Sequence, residues 1–385
     1  MDLSAAIRDE ILGSKEQAIP FVRFMELALY HPELGYYMTP QPKVGKDGDF
    51  FTSGTLHPVF AEVLADLFVQ MWKENGIDQP VLAELGGGTG YLMKHLLSVL
   101  FARYPEWYQR LRLVLVEGSP YHRQLQQQAL QPFQLPQVWY RSVEEAARAQ
   151  AFEGIVLSNE YFDAFPVHLM EKLEEGWCEA WVTWEEQEQR FRQQFWPRIS
   201  VPMQQFLADR EPIVPVGTRL EVNLGMRGAV RAIGSMIKRG YVLTIDYGDR
   251  EEELYHSSRK AGTLLCYYRH RVHTDPFRHI GEQDITAHVN FSALEQWGEE
   301  AGLRCLAFLR QDQFLLQAGI LQKAIAHQDR DPFRSSAMKQ NWAIQQLIDP
   351  AGLGGRFRVM LQGKEVERLP HPLCGNNRTN KKDAR

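Results

Sequence analysis

Cysteine is scarce. Cys178, Cys266, Cys305 and Cys374 are the four in 385 residues, far apart and without a CxxC pair. That excludes a disulfide scaffold and a cysteine-based zinc site, and predicts buried thiols in a reducing compartment. No apolar run approaches the ~18 residues needed to span a bilayer. An excess of positive charge is missing too: 43 Lys+Arg against 48 Asp+Glu leave a net charge of -5. Nothing in that balance draws the chain to nucleic acid or to an anionic membrane. Met1 to Lys15 mixes charges with short apolar steps and reads as an amphipathic helix, with neither a signal-peptide core nor an Arg- and Ser-rich, acid-poor presequence. A cytoplasmic protein is expected. His270, His273 and His279 have no acid or thiol partners at zinc spacing, so no metal is expected.

What is present is ordinary globular composition, 44% hydrophobic and 24% charged. Residues 1–75 read as a helical region, with Phe21, Phe24, Met25, Ala28 and Leu29 at helical spacing before Pro32 and Gly35 break the pattern. Short apolar runs then alternate with helical stretches: Val81–Leu85, Leu111–Glu117, Gly154–Ser158 and Gly240–Asp246. That alternation predicts a mostly parallel sheet with helices on both faces. The pattern changes between Val167 and Ile237, where a Trp- and Glu-rich stretch suggests a hairpin followed by a short helix. We divide the chain into an N-terminal helical region (1–75), an α/β domain (76–330) with an inserted α+β cap (168–237), and a C-terminal extension (331–385) whose end is polar, mildly basic and expected to be disordered. Trp177, Trp181 and Trp184 are assigned to the core or to a docking face of the cap, and the Gln-rich helix at Gln124–Gln128 to a solvated face.

The sharpest local signal is Glu84-Leu85-Gly86-Gly87-Gly88-Thr89-Gly90, after a strand and before a helix. Glycine permits positive φ and close approach of a ligand to the backbone. A phosphate-binding P-loop requires Gly-Lys-Ser/Thr, which does not follow. A nicotinamide GxGxxG would need glycine where Tyr91 stands. The actual spacing, an acid followed by Gly86, Gly88 and Gly90 at every second position, suits S-adenosyl-L-methionine. This cofactor is cationic and carries no phosphate. Glu84 is placed near its ammonium end, and Glu117, closing the next strand, accepts from the ribose hydroxyls.

At this point the chain resembles the MidA family of S-adenosylmethionine-dependent methyltransferases, whose mitochondrial members are complex I assembly factors that symmetrically dimethylate a protein arginine. The likeness is an ordered series: Phe24-Met25, Ala28-Leu29-Tyr30, Pro32 and Gly35-Tyr36-Tyr37; Gly48-Asp49-Phe50 with Thr52-Ser53; the glycine loop; Glu117-Gly118-Ser119-Pro120; Ser158 to Val167; Asp246-Tyr247-Gly248; Gly262-Thr263-Leu264; Gly281 to Phe291; and Gln313-Phe314-Leu315 with Gly319-Ile320. Departures include Gly54-Thr55, Gly87, Thr89, Tyr91, Lys94 and Asn290.

The resemblance implies a Rossmann-like class I S-adenosylmethionine-dependent methyltransferase fold, this cofactor, and an arginine of a protein substrate, possible candidates including a respiratory-complex subunit. It leaves open another protein side chain, a small molecule, or a non-catalytic cofactor-binding assembly factor. It also admits a homodimer. A guanidinium needs carboxylates that orient it and favour proton loss. Glu160 is the first candidate. Asn159 is placed on the cofactor or the substrate. Asp163 is either a third catalytic group or a helix cap. Asp49 is expected to close over the cofactor or to serve as a turn residue. Glu221, Thr286 and His288 are weaker candidates.

Overall fold

The computed structural model describes residues 2–43, 57–209, 211–328, 331, 335–366 and 368–373. Asp49, the Gly48–Ser53 motif, Cys374 and the basic C-terminal residues lie outside them. The chain forms two compact units: Thr52–Glu160, Val230–Asp246 and Glu295–Arg385 in one, and Met1–Phe51, Tyr161–Ala229 and Tyr247–Leu294 in the other.

The first unit is built on seven strands: β1 (Val81–Leu85), β2 (Arg112–Val116), β3 (Gln137–Tyr140), β4 (Phe152–Asn159), β5 (Ile237–Asp249, of which the residues through Asp246 belong here), β6 (Arg304–Arg310) and β7 (Phe357–Lys364). Their order is β6-β7-β5-β4-β1-β2-β3. The pairs β1–β2, β1–β4, β2–β3 and β4–β5 are parallel, and β6–β7 is antiparallel. All five residues of β1 are buried, as a parallel strand covered on both faces requires. Helices α1 (Tyr91–Arg103) and α2 (Pro120–Leu130) follow β1 and β2. The chain leaves β1 toward β2 and β3 on one side and returns to β4 and β5 on the other. That makes the carboxyl ends of β1 and β4 the switch point where open α/β sheets bind ligands. This is the expected class I methyltransferase architecture. The sheet also takes in β7, which the sequence reading left inside a C-terminal extension.

Two glycines let these strands approach. Val81, Gly154 and Gly240 share one row across β1, β4 and β5. A Cβ on Gly154 (φ +153°) would lie 1.9 Å from the Val81 carbonyl oxygen, and one on Gly240 (φ +138°) the same distance from that of Gly154. We expect Gly154→Ala to cost about 4 kcal/mol or more, because main chain must part from main chain. Urea unfolding checks this, and a loss under about 1 kcal/mol would contradict it.

The second unit holds an antiparallel sheet. Its long strand Gly176–Glu185 pairs with His168–Leu173, Arg190–Trp196 and Ala18–Pro20, and His168–Leu173 also pairs with Arg219–Val222. Helices Leu3–Gly13 and Phe21–Tyr30 share its core: Ile7, Phe24 and Leu29 cluster with Leu169, Ala180 and Val182. The hairpin expected at residues 168–184 and the short helix after it (Val201–Asp209) are present. Trp177 is core and Trp181 stacks on Trp196. The residues assigned to a cap thus pack with the N-terminal helices, while 230–237 go with the larger sheet. Cys178 and Cys266 are buried thiols and Cys305 is half-buried, none of them in a disulfide.

Candidate active site

Strand register brings the acids and the glycine loop together. Leu85 pairs with Val116 on β2 and with Ser158 on β4. Gly86, Glu117 and Asn159 therefore stand side by side, one residue further along, at the carboxyl ends of three adjacent strands. Gly86 donates to the Val116 carbonyl (2.9 Å). Gly86, Gly88 and Gly90 have φ of 62°, 53° and 75°: the alternate spacing read from the sequence marks the three left-handed positions of the loop. Gly87 is glycine for another reason, since a Cβ there would fall 2.4 Å from Glu84 Oε2.

Glu84 is buried, and its Oε2 has no hydrogen-bond partner among the described residues. Burial, reinforced by the Glu117 charge, pushes its carboxyl up to about 8. Glu117 is also buried. It accepts from the Ser119 N–H at Oε1 (2.9 Å) and from Gln126 Nε2 at Oε2 (3.0 Å). Burial raises it to about 7, against the hydrogen bonds from Ser119, Gln126 and Gly88. On β4, Asn159 Nδ2 donates to Glu160 Oε1 (3.0 Å), and Asn159 Oδ1 is a second buried acceptor without a partner among the described residues. Glu160 is half-buried, its N–H donates to Ile245 O (2.9 Å), and its φ is 54°. Orphaned buried acceptors are costly. Two of them on neighbouring strand ends fit a ligand with a cationic, hydrogen-donating head.

Asp163 is buried in the other unit, where its carbonyl accepts from Ala287 N (3.0 Å). No helix starts there. A turn leads into the strand His168–Leu173, so the helix-cap alternative does not apply. Glu221 is a structural clamp: its buried carboxylate accepts from Thr263 N and Oγ1 and from Leu264 N at 2.8–3.2 Å. His288 N–H donates to that same Thr263 hydroxyl (3.0 Å), and Thr286 pairs with Leu265 in a small sheet. Among the described residues no group of His, Cys, Asp and Glu is arranged to hold a metal, and no helix is long and apolar enough to cross a membrane.

The sequence reading missed Gln126, taken as part of a solvated face. Gln124, Gln127 and Gln128 are exposed, but Gln126 is fully buried on the inward row with His122 and Leu130. The four-residue spacing of those three was the available signal.

A family model described as an S-adenosyl-L-methionine-dependent methyltransferase matches residues 63–309, more than half of the chain. The chain belongs to this family. It is an S-adenosyl-L-methionine-dependent methyltransferase, and the non-catalytic alternative is not favoured. A crystal structure from Burkholderia thailandensis, described as a methyl transferase and bound to S-adenosyl-homocysteine, matches with a TM-score of 0.84 at 33% identity, covering 98% of this chain and 95% of that one. The protein arginine methyltransferase NDUFAF7 homolog of Drosophila melanogaster is 29% identical over 93% of this chain and 84% of its own length. Its Danio rerio counterpart is 28% identical over 88% and 82%. The cytoplasmic location expected from the sequence does not stand, because both of these relatives are named as mitochondrial proteins.

The raised acids give this methyltransferase a pH signature. A carboxyl held at about 8 is mostly protonated at pH 7, and a bound cation draws it below that. Binding therefore releases a proton, and affinity rises with pH while pH stays under the free-state value. We expect S-adenosyl-L-methionine affinity to climb between pH 6 and 7.5, by up to about tenfold per pH unit for each acid that loses its proton on binding. Calorimetry in buffers of different ionisation enthalpy counts the proton. In Glu84→Gln the slope shrinks to the part due to Glu117, and a wild-type affinity flat across this range would refute the assignment.

Proposed function

We propose that the methyl acceptor is an arginine side chain of a protein, held by Glu160 and Asn159, while Glu84 and Glu117 hold the cofactor through its ammonium and its ribose. The cofactor supplies a methyl group on an electrophilic sulfonium. The glycine loop lets it lie against the backbone. The sequence-based roles of Asp163 as a catalytic group and Asp49 as a cofactor-binding residue are kept as part of this proposal.

The observation that carries the proposal is Glu160. A non-glycine residue at φ 54° is a strained position. Here it is pinned by its backbone bond to Ile245 and by the Asn159 amide. Of the seven non-glycine residues with positive φ among the described residues, Glu160 is the one that stands at the carboxyl end of a central strand beside the glycine loop. A carboxylate held at the carboxyl end of β4 can accept paired N–H donors from a planar guanidinium. It can also receive the proton that the guanidinium gives up as the methyl group is transferred, a proton that a group with a pKa above ~12 would otherwise retain. The relatives named as protein arginine methyltransferases support the same acceptor. The MidA resemblance extends the proposal to symmetric dimethylation and to a respiratory-complex subunit as the carrier.

Mass spectrometry of host proteins with and without this gene tests it. Methyl and dimethyl increments on arginine that vanish with the gene are expected. Gene-dependent increments confined to lysine, or none on any arginine, would overturn it.

A further inference from the structure

We propose that Gln126 is the positioning residue through which this enzyme reads the ribose hydroxyls of its cofactor. It acts by locking the Glu117 carboxylate to the glycine loop. The inference rests on the placement of the cofactor at Glu117.

The side-chain amide of Gln126 is fully buried, and both ends are used. Its Nε2 donates to Glu117 Oε2 (3.0 Å) and to the Gly88 carbonyl (3.1 Å), and its Oε1 accepts from Trp139 Nε1 (3.1 Å). The indole N–H can only donate. Trp139 therefore dictates which end of the amide faces β3, and so turns both amide protons toward Glu117 and the loop. Gly88 completes the circuit, its N–H donating to Glu117 and its carbonyl accepting from Gln126. The carboxylate is thus oriented before any ligand arrives, with donors drawn from the loop, from Ser119 at the start of α2 and from Gln126 within it. An acid that already accepts three hydrogen bonds offers its one remaining lone-pair site in a set direction. That is the requirement for selecting a ligand by its hydroxyl groups rather than merely attracting positive charge. The backbone of Gln126 contributes as well, since its Cα would lie 3.1 Å from a Cβ on Gly90. Helix α2 thus meets the loop closely at Gln126.

The test is calorimetric and needs no turnover. Wild-type protein is titrated with S-adenosyl-homocysteine and with its 2′,3′-dideoxy analogue, and is expected to prefer the former by about tenfold or more. In Gln126→Met, which keeps the length and volume but removes the amide, the preference is expected to fall to within about twofold. A purely structural role would weaken both ligands alike and leave the ratio intact. Trp139→Phe, at a half-buried position, is the second variant and keeps Gln126. It removes the donor that orients the amide and is expected to reduce the preference several-fold, even if Gln126→Met does not fold. Wild-type preference surviving in the folded variants would overturn the role of Gln126. A wild-type protein that binds both ligands equally would instead overturn the placement of the ribose at Glu117, and the inference with it.

Discussion

Replacing Gly88 with valine is expected to lower affinity for S-adenosyl-L-methionine by at least about a hundredfold, the equivalent of ~3 kcal/mol. Two physical effects combine. Gly88 has φ +53°, a left-handed conformation that a β-branched residue adopts only under strain. Among the described residues, a Cβ at this position would also meet no atom within 4 Å. The added isopropyl group would therefore project into the open space that a ligand must enter to reach the loop backbone. Gly88→Ala separates the effects: it carries the backbone strain with a smaller intrusion, and should lose about tenfold or less. Calorimetry measures both affinities, and thermal melting shows whether each variant is folded. A folded Gly88→Val protein with wild-type affinity would refute the placement of the cofactor.

Glu160 yields the second large effect. Glu160→Gln keeps the shape and the hydrogen bond to Asn159 but removes the charge. It should leave cofactor affinity nearly unchanged while lowering kcat on an arginine-containing protein by about 10²–10³. Glu160→Gly makes the sharper experiment. The backbone at φ 54° is strained for glutamate and free for glycine. The variant should therefore be more stable by up to about 1 kcal/mol while its activity disappears. Stability rising as activity falls is the mark of strain kept for function. A Glu160→Gly protein that is both less stable and fully active would show that the backbone is held for some other reason, and would remove Glu160 from the chemistry.

The glycine loop was legible because its geometry is local. The strand, the loop and the helix that follow Val81 are contiguous, and an acid with three glycines at alternate positions prescribes left-handed backbone at Gly86, Gly88 and Gly90. The place of Glu117 just past the end of the next strand was read by the same logic. Gln126 escaped because its role depends on register and burial. In a run of glutamines, only the rotation of α2 decides which one turns inward toward Glu117 and Trp139. Strand β7 escaped for a related reason. Phe357–Lys364 is a mixed apolar run whose place between β5 and β6 is set by pairing with Arg304–Arg310, 48 to 59 residues away, and with β5, more than a hundred away, which local pattern does not encode. Glu221 misled the reading: an acid on a strand resembled a catalytic group, yet its carboxylate is engaged by the backbone at Thr263 and Leu264. The domain boundaries were hardest to see. The N-terminal helices share a core with the inserted sheet, and only the packing of Phe24 and Leu29 against Leu169 and Val182 reveals it.

The measurement that bears most directly on the account is a calorimetric titration of the intact protein with S-adenosyl-L-methionine near pH 7.5, run beside Glu84→Gln and Glu117→Gln. We expect one site per chain in the wild type, with proton release on binding, and a marked loss of affinity in both variants. A folded wild-type protein that takes up no cofactor, or variants that bind as tightly as it does, would contradict the claim that the carboxyl ends of β1 and β2 hold it.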